Sequence, residues 1–340
     1  TLSEKCWAGI SWSASEGDRI VKEIGGFLEW ETYSGAEYHQ EALALNSARN
    51  ALRFLLRARK IRSIWLPRLL CEVIEEACRA ENVEIRYYPV DASLRPVFLP
   101  EIARTEWVYL INYYGQYQKS EICEWAEQFH LILDNVQAFY TKPLDGLDTV
   151  YTCRKFFGVP DGAYLYTESV LPEELEQDSS CTRLEYLMGR FEHSANAFYG
   201  AYQQHEEQLG TLPIRWMSKG THNLLRTIDY ERAKHARENN FAYLHKGFGA
   251  VNRLNVRLPE GPYMYPLWLQ NGAEIRKRLQ TEKIYIPILW PNVLKSLPET
   301  EAEHQLAENI LPLPVDQRYT ENDMKRVLQA VFNCMEETRK

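Results

Sequence analysis

Thr152-Cys-Arg-Lys155-Phe-Phe-Gly-Val-Pro-Asp161-Gly162-Ala163 is the stretch that decides how this chain is read. It offers a lysine amine, a hydroxyl three residues before it and a Pro-Asp-Gly turn behind it. Lys155 stands 21 residues beyond Asp134, the carboxylate that ends the apolar part of Leu131-Ile-Leu-Asp134-Asn-Val-Gln137. A primary amine can hold an aldehyde covalently, and a carboxylate can keep a basic ring nitrogen protonated. Pyridoxal 5′-phosphate chemistry demands these two protein groups, and here they come in order with strand-like flanks.

Outward from this pair, helix-like and strand-like segments alternate from Leu43 to about Tyr166. The spacing of Ala48, Ala51, Leu52, Leu55 and Leu56 predicts a helix over 47–59, capped by Asn46 or Ser47. Ser63-Ile-Trp-Leu-Pro67 predicts a strand stopped by proline. A helix over 72–80 and a strand over 83–90 follow. Trp107-Val-Tyr-Leu-Ile-Asn112 has the continuous apolar character of a strand buried on both faces. Next come a helix over 120–129 and strands over 130–133 and 149–153. A last strand over 163–167 is expected to run antiparallel after the Pro-Asp-Gly turn. Such alternation predicts a mainly parallel, doubly wound α/β sheet whose ligands bind at the carboxyl ends of its strands. Asn112, Asp134 and Lys155 fall at or near such ends. Beyond Glu168 the texture changes to long helices over 184–208 and 223–244 and short strands over 263–269, 283–287 and 310–314. An amphipathic helix over 322–338 closes the chain. The expected organisation is a large domain over 1–218 and a smaller C-terminal α+β domain over 219–340.

At 340 residues the chain can bury a sizeable core, and its 45% apolar and 25% charged content is that of a soluble globular protein. A net charge of -8 argues against nucleic acid as the main partner. No apolar run approaches the roughly 18 residues of a membrane span. Thr1-Leu-Ser-Glu-Lys-Cys-Trp7 lacks a charged region followed by an apolar one, so no secretory signal is expected. The seven cysteines show no CxxC spacing and read as reduced thiols of a cytoplasmic protein. The eight histidines stand singly, outside any metal-ligand spacing, so no metal is expected.

From about Gly25 onward the chain resembles the fold-type-I pyridoxal-phosphate enzymes, and within them the DegT/DnrJ/EryC1/StrS family of sugar aminotransferases. Asn46-Ser-Ala-Arg-Asn-Ala-Leu52 resembles the family's SGTxAL or SGRxAL phosphate loop, and Trp65-Leu-Pro67 with Cys71 resembles the strand and loop after it. Asn112-Tyr-Tyr-Gly115-Gln is similar to its pattern of strand, aromatic and glycine. Leu133-Asp134-Asn-Val-Gln137-Ala is similar to its EDaAQa element. Thr152 through Gly162 resembles its lysine motif in the shorter form, and Leu313-Pro-Val-Asp316-Gln-Arg-Tyr319 a motif near the end of some members. There are departures. Ala48 stands where the family usually has Gly, and Ala163 where a second Gly often follows. The loop Pro67-Arg-Leu-Leu-Cys71 lacks the aromatic that commonly stacks on the cofactor ring. Some members replace the lysine by histidine and act as dehydratases; the presence of Lys155 favours transamination.

The resemblance implies roles residue by residue. Lys155 would hold the cofactor and move a proton, and Asp134 would keep its ring nitrogen protonated. Ser47, Ala48, Arg49 and Thr152 would hold its phosphate, Gln137 would contact the ring or its 3-oxygen, and Tyr113 would line it. Plain alternatives stand beside these. Asp134 and Gln137 suit a helix cap and its capping-box partner; Ser47 and Arg49 suit a cap and a solvated charge. Tyr113 and Tyr114 suit a core, and Lys155 alone would suit a surface. Arg154 suits either an anionic ligand or an acidic neighbour. Arg215, Tyr285 and Arg318, with Ser218, Lys219, His222 and Trp290, suit either an anionic nucleotide-sugar or ordinary helix ends and packing. The implied reaction moves an amino group from an amino acid, with glutamate expected, to a nucleotide-linked keto-sugar in polysaccharide or secondary-metabolite biosynthesis. The implied assembly is a homodimer. Elimination or dehydration on the same scaffold, and a non-catalytic homologue binding sugar or protein, are the alternatives.

Overall fold

The computed structural model describes residues 24–337. Thr1–Trp7, where no signal is expected, and Thr338, the expected end of the last helix, lie outside the described residues. Residues 24–32 carry no regular structure. Tyr33 onward forms one compact unit.

That unit begins with β1 (Leu43–Leu45), α1 (Ala48–Ala58), β2 (Ser63–Pro67), α2 (Glu72–Ala80), β3 (Glu84–Tyr88) and β4 (Trp107–Ile111). It continues with α3 (Lys119–Gln128), β5 (His130–Asp134), β6 (Asp148–Thr152) and β7 (Ala163–Tyr166). The strands form one seven-stranded sheet in the order β1-β7-β6-β5-β4-β2-β3. Neighbours from β3 across to β6 are parallel, and β7 runs antiparallel to both β6 and β1. The expected mainly parallel α/β sheet with an antiparallel β7 is what forms. Its central strands β4, β5 and β6 are buried over almost their whole length, as parallel strands covered on both faces must be. Leu52, Leu55 and Leu56 of α1 are buried against the sheet, each contributing about 1.5–3 kcal/mol of apolar burial.

The turn between β6 and β7 needs its glycine. Gly162 has φ +112, a value that L side chains rarely adopt. From there its carbonyl accepts from Cys153 N (3.0 Å) and its N–H donates to Asn46 O (2.9 Å), locking the lysine segment to the end of β1. Asp161, beside it, is fully buried and paired with Arg183 (3.1 Å), which also holds Asp178 (2.9 Å).

The rest of the unit comprises α4 (Glu185–Glu192), α5 (Tyr199–Thr211), α6 (Lys219–Leu225), α7 (Tyr230–Phe248), β8 (Met264–Trp268), α8 (Gly272–Thr281), α9 (Val293–Ser296), α10 (Ala302–Asn309), β9 (Ile310–Pro314) and α11 (Glu321–Glu337). β8 and β9 pair antiparallel into a second, two-stranded sheet, packed by α7, α8 and α10, with α11 lying on α7 and α8. Three expectations are corrected here. The helix expected over 184–208 is two helices: the backbone leaves the helix at His193 (φ -126, ψ -101), and the Phe198 ring folds back over Gly189, where any Cβ would sit about 2.2 Å from it. The helix expected over 223–244 breaks before Asp229, whose side chain caps α7 by accepting from Arg232 N. The strand expected over 283–287 does not form. Its alternation is real, with Ile284 and Ile286 buried and Lys283 and Tyr285 exposed. No neighbouring strand supplies a ladder, and Pro287 brings no donor.

Candidate active site

Because β1 is parallel to β6 through the intervening β7, the ends of β1, β2, β4, β5 and β6 share one edge of the sheet. The chain places Ser47, Cys71, Asn112, Asp134, Thr152 and Lys155 at or just beyond those ends. Register sharpens this. Ala163 lies beside both Thr152 and Leu45, and Asp134 lies beside Ile111 and Val150.

Asp134 is the last residue of β5 and is buried. Its Oδ1 accepts from Val136 N and its Oδ2 from the Tyr109 hydroxyl, both at 2.8 Å. Burial pushes its carboxyl above the ordinary aspartate value, and the Lys155 ammonium, Val136 N–H and Tyr109 hydroxyl pull it back. Lys155 lies in the turn after β6, where Phe156 N and Phe157 N both donate to Cys153 O. Phe156 and Phe157 are buried, whereas Lys155 reaches solvent. Protein crowded around the amine still pushes its ammonium below the ordinary lysine value, opposed by Asp134 and Cys71 and assisted by Arg154. As a residue Lys155 is exposed, while the protein around its amine disfavours the charged form. Each of Asp134 and Lys155 registers the other's charge.

At the phosphate-loop position, Ser47 is the N-cap of α1 and accepts from Asn50 N (3.2 Å). The N–H groups of Ala48 and Arg49 find no acceptor among the described residues. Arg49 pairs loosely with Glu76 at 3.4 Å, leaving its Nε buried without a partner. Thr152 ends β6, and its hydroxyl makes no hydrogen bond to the described residues.

Two expected roles change. No helix follows Asp134, so neither it nor Gln137 is a helix cap. Gln137 Oε1 instead accepts from Tyr114 N (2.8 Å). That bond holds the short turn over Tyr113–Gly115, in which Tyr114 adopts φ 54. Tyr113, expected to line a cofactor, faces the core. Its hydroxyl donates to Leu69 O, and its ring meets Trp290 edge-on at 5.6 Å.

Arg154 is settled as an ion-pair partner of Glu206. Arg215 is committed to Glu176 (2.8 Å) and lies 3.8 Å from Asp178, while its carbonyl accepts from Asn46 N at the phosphate loop. Arg318 is chelated by Asp316 at 2.6 and 2.9 Å. Tyr285 is half exposed, Trp290 is core, Ser218 caps α6, and His222 holds Glu37 at 2.8 Å. No contact among the described residues joins Tyr285 or Arg318 to Lys155 or Asp134.

Sequence reasoning missed three residues. Tyr109 was one apolar position among five in β4. Tyr263, read as part of a strand, places its ring 5.8 Å from Lys155 Nζ. Arg237 looked like one cation among many on a polar helix. It is buried and donates to Gln317 Oε1 (2.8 Å), Pro262 O (2.9 Å), Tyr263 O (3.4 Å) and Phe156 O (3.0 Å). It thus links the lysine turn to the segment that carries Tyr263. A buried arginine with only neutral acceptors leaves no signature in sequence spacing.

Among the described residues no group of His, Cys, Asp and Glu could hold a metal ion. No helix there is long and apolar enough to cross a membrane. Six described cysteines are free, and Cys6 lies outside the described residues.

No protein-family model matches the chain, and no curated protein matches it in sequence. Solved structures do. A DegT DnrJ EryC1 StrS aminotransferase from Brucella abortus is 16% identical over 86% of this chain and 85% of its own, with a TM-score of 0.58. The sugar aminotransferase CalS13 from Micromonospora echinospora is 16% identical over 85% of this chain and 86% of its own, with a TM-score of 0.56. NtdA from Bacillus subtilis, solved with bound cofactor PMP, is 13% identical over 87% of this chain and 73% of its own, with a TM-score of 0.61. At these identities the likeness is one of architecture: the chain has the fold-type-I fold of these aminotransferases.

Proposed function

We propose that this chain is a pyridoxal-phosphate-dependent aminotransferase that moves an amino group from glutamate to a nucleotide-linked keto-sugar. The observation that carries the reading is the shared placement of a buried Asp134 carboxylate, at the end of β5, and of Lys155, in the turn after β6, at one carboxyl edge of the sheet. The site fits the cofactor on chemical grounds. It offers a desolvated amine, a buried carboxylate, and free N–H groups of Ala48 and Arg49 at a helix start suited to a phosphate. Bound, pyridoxal 5′-phosphate supplies an aldehyde for primary amines and a protonated ring that takes up electrons from a substrate carbon. The protein's residues do the rest. Lys155 Nζ, held below its usual pKa, spends a larger share of its time neutral, as a nucleophile and proton carrier must. Asp134, kept ionised by a cation opposite it, holds a proton on the ring nitrogen. Ser47, Arg49 and Thr152 are assigned to the phosphate, and the free amide nitrogen of Gln137 to the ring's 3-oxygen. Arg215, at the phosphate loop, and the more distant Tyr285 and Arg318 are assigned to the acceptor.

The likeness to sugar aminotransferases supports the acceptor class. A homodimer in the cytoplasm and a role in polysaccharide (including lipopolysaccharide) or secondary-metabolite biosynthesis belong to the same reading. The test is direct. The protein is loaded with pyridoxal phosphate and reduced with borohydride, and its peptides are weighed. The label is expected on Lys155, absent in Lys155→Ala, and glutamate is expected to yield 2-oxoglutarate with the unreduced protein. A wild-type protein that takes no label at Lys155 sinks the proposal.

A further inference from the structure

Tyr88, Tyr109, Tyr113 and Tyr117 are buried almost completely and hydrogen-bonded through their hydroxyls. Each must satisfy a hydroxyl away from water. Tyr88 donates to Tyr109 O, Tyr113 to Leu69 O and Tyr117 to Leu94 O, all backbone carbonyls. Tyr109 alone among them donates to a carboxylate, Asp134 Oδ2, at 2.8 Å.

The sheet explains how this contact arises. Tyr109 is the cross-strand partner of Ile132. Side chains alternate along a strand, so Tyr109, Ile132 and Asp134 share one face. Two residues of stagger is the diagonal distance that an aromatic side chain can span. The phenol therefore reaches Asp134 along the sheet face, and the Val136 N–H supplies the second bond to the same carboxylate. Two donors fix the carboxylate's rotamer before any ligand arrives. The charged and titratable groups that act on the pair are Lys155 from the turn after β6, Tyr113 from the turn after β4, Cys71 ahead of α2 and Cys78 within it. Among these, Lys155 carries the cation.

We infer that Tyr109 is a positioning residue for the active site, holding Asp134 in one orientation and in its ionised form so that it can pair with a protonated ring nitrogen. The inference rests on the proposed cofactor chemistry but concerns a contact within the chain itself. A hydrogen bond to a charged group shifts its protonation equilibrium by about one pKa unit or somewhat more. In its absence Asp134 takes up a proton at higher pH.

The experiment compares wild type, Tyr109→Phe and Tyr117→Phe. The last is a control that loses an equally buried phenol bonded only to a carbonyl. Pyridoxal phosphate affinity is measured as pH is lowered, with thermal melting at each pH to confirm folding. The acid-side midpoint of affinity is expected to move up by about one unit in Tyr109→Phe and to stay in place in Tyr117→Phe. Unmoved midpoints in both variants overturn the inference, and so do equal shifts in both, which signal general loosening. If the wild-type protein takes up no cofactor, the proposed function falls by itself. The link is then read from the carbon-13 carboxyl titration of Asp134 in the protein alone. An upward shift in Tyr109→Phe upholds it, and an unchanged titration overturns it.

Discussion

Asp134→Asn isolates the electrostatics of the site with little cost to its shape. Asparagine can still accept from Val136 N through its oxygen, and its amide can donate to the Tyr109 oxygen, so both contacts persist in altered sense. What disappears is a negative charge. The Lys155 ammonium is already held down by desolvation, and Asp134 is first among the groups opposing that shift. An opposite charge within about 4–6 Å is worth about 1–3 pKa units. Because Lys155 is an exposed residue, the lower end applies. The signs follow. Between its depressed folded value and 10.5, Lys155 binds fewer protons in the native state than in the unfolded one, so stability rises with pH through that window. Asp134→Asn extends the window downward. Between 3.8 and its raised folded value, Asp134 binds more protons in the native state, so stability falls with rising pH there, and the variant lacks that slope. The assay is the pH dependence of Lys155 modification by an amine-selective reagent, followed by peptide mass spectrometry without cofactor. The midpoint is expected about one unit lower in Asp134→Asn than in wild type. An unchanged or higher midpoint would refute the claim that these groups face each other.

Arg237→Met leaves the Pro262 and Tyr263 carbonyls without this donor, while Phe156 O keeps Gln317 Nε2 at 2.9 Å. The expected loss in urea denaturation is about 2–4 kcal/mol, from two unpaired buried acceptors. Arg237→Lys, which keeps the charge and loses the planar fork, should recover less than half of it; wild-type stability in either variant would show that the fork is not needed. Gly272→Ala places a Cβ about 2.1 Å from the backbone oxygen of Asn309, where no side chain can swing aside. A loss of about 1–3 kcal/mol is expected from this overpacking, and an unaltered denaturation midpoint would count against the packing at the start of α8.

The sheet was legible because its signals are local. Ser63–Pro67 and Trp107–Ile111 are apolar runs with β-branched or aromatic residues and clear stops, and α2 is bounded as its periodicity indicates. The second half was less legible because its breaks are set by tertiary contact. Nothing in the sequence around Gly189 announces that the Phe198 ring will cover it, and helical periodicity runs on through the bend. Residues 283–287 show the converse: strand alternation without a partner strand. At the candidate site, Asp134 and Lys155 could be singled out because their order along the chain is informative, and both lie at the carboxyl edge of the sheet. Tyr113 was ambiguous because an aromatic after a strand looks the same whether it lines a ligand or packs on Trp290, as this one packs. Tyr109 and Tyr263 were invisible, since their relevance depends on a diagonal across the sheet and on the fold of the C-terminal half.

The departures from the family pattern take on a different weight once placed. Ala48 is the first residue of α1, with Ser47 already extended as the cap, so its backbone is helical and a Cβ costs nothing conformationally. Ala163 opens β7 in regular antiparallel register, while the one position that demands glycine, Gly162 at φ +112, retains it. Both substitutions therefore fall where the backbone is ordinary. The missing aromatic is a real difference. Leu69 and Leu70 are buried, Tyr113 pins the Leu69 carbonyl, and the loop ends at Cys71 as the N-cap of α2, so it presents no ring to the amine. The ring near Lys155 comes instead from Tyr263, just ahead of β8, and Arg237 ties Tyr263 and the lysine turn together. The surroundings of the amine thus depend on the C-terminal elements more than the motif order alone would suggest, with Arg237 joining α7 to both the lysine turn and Tyr263.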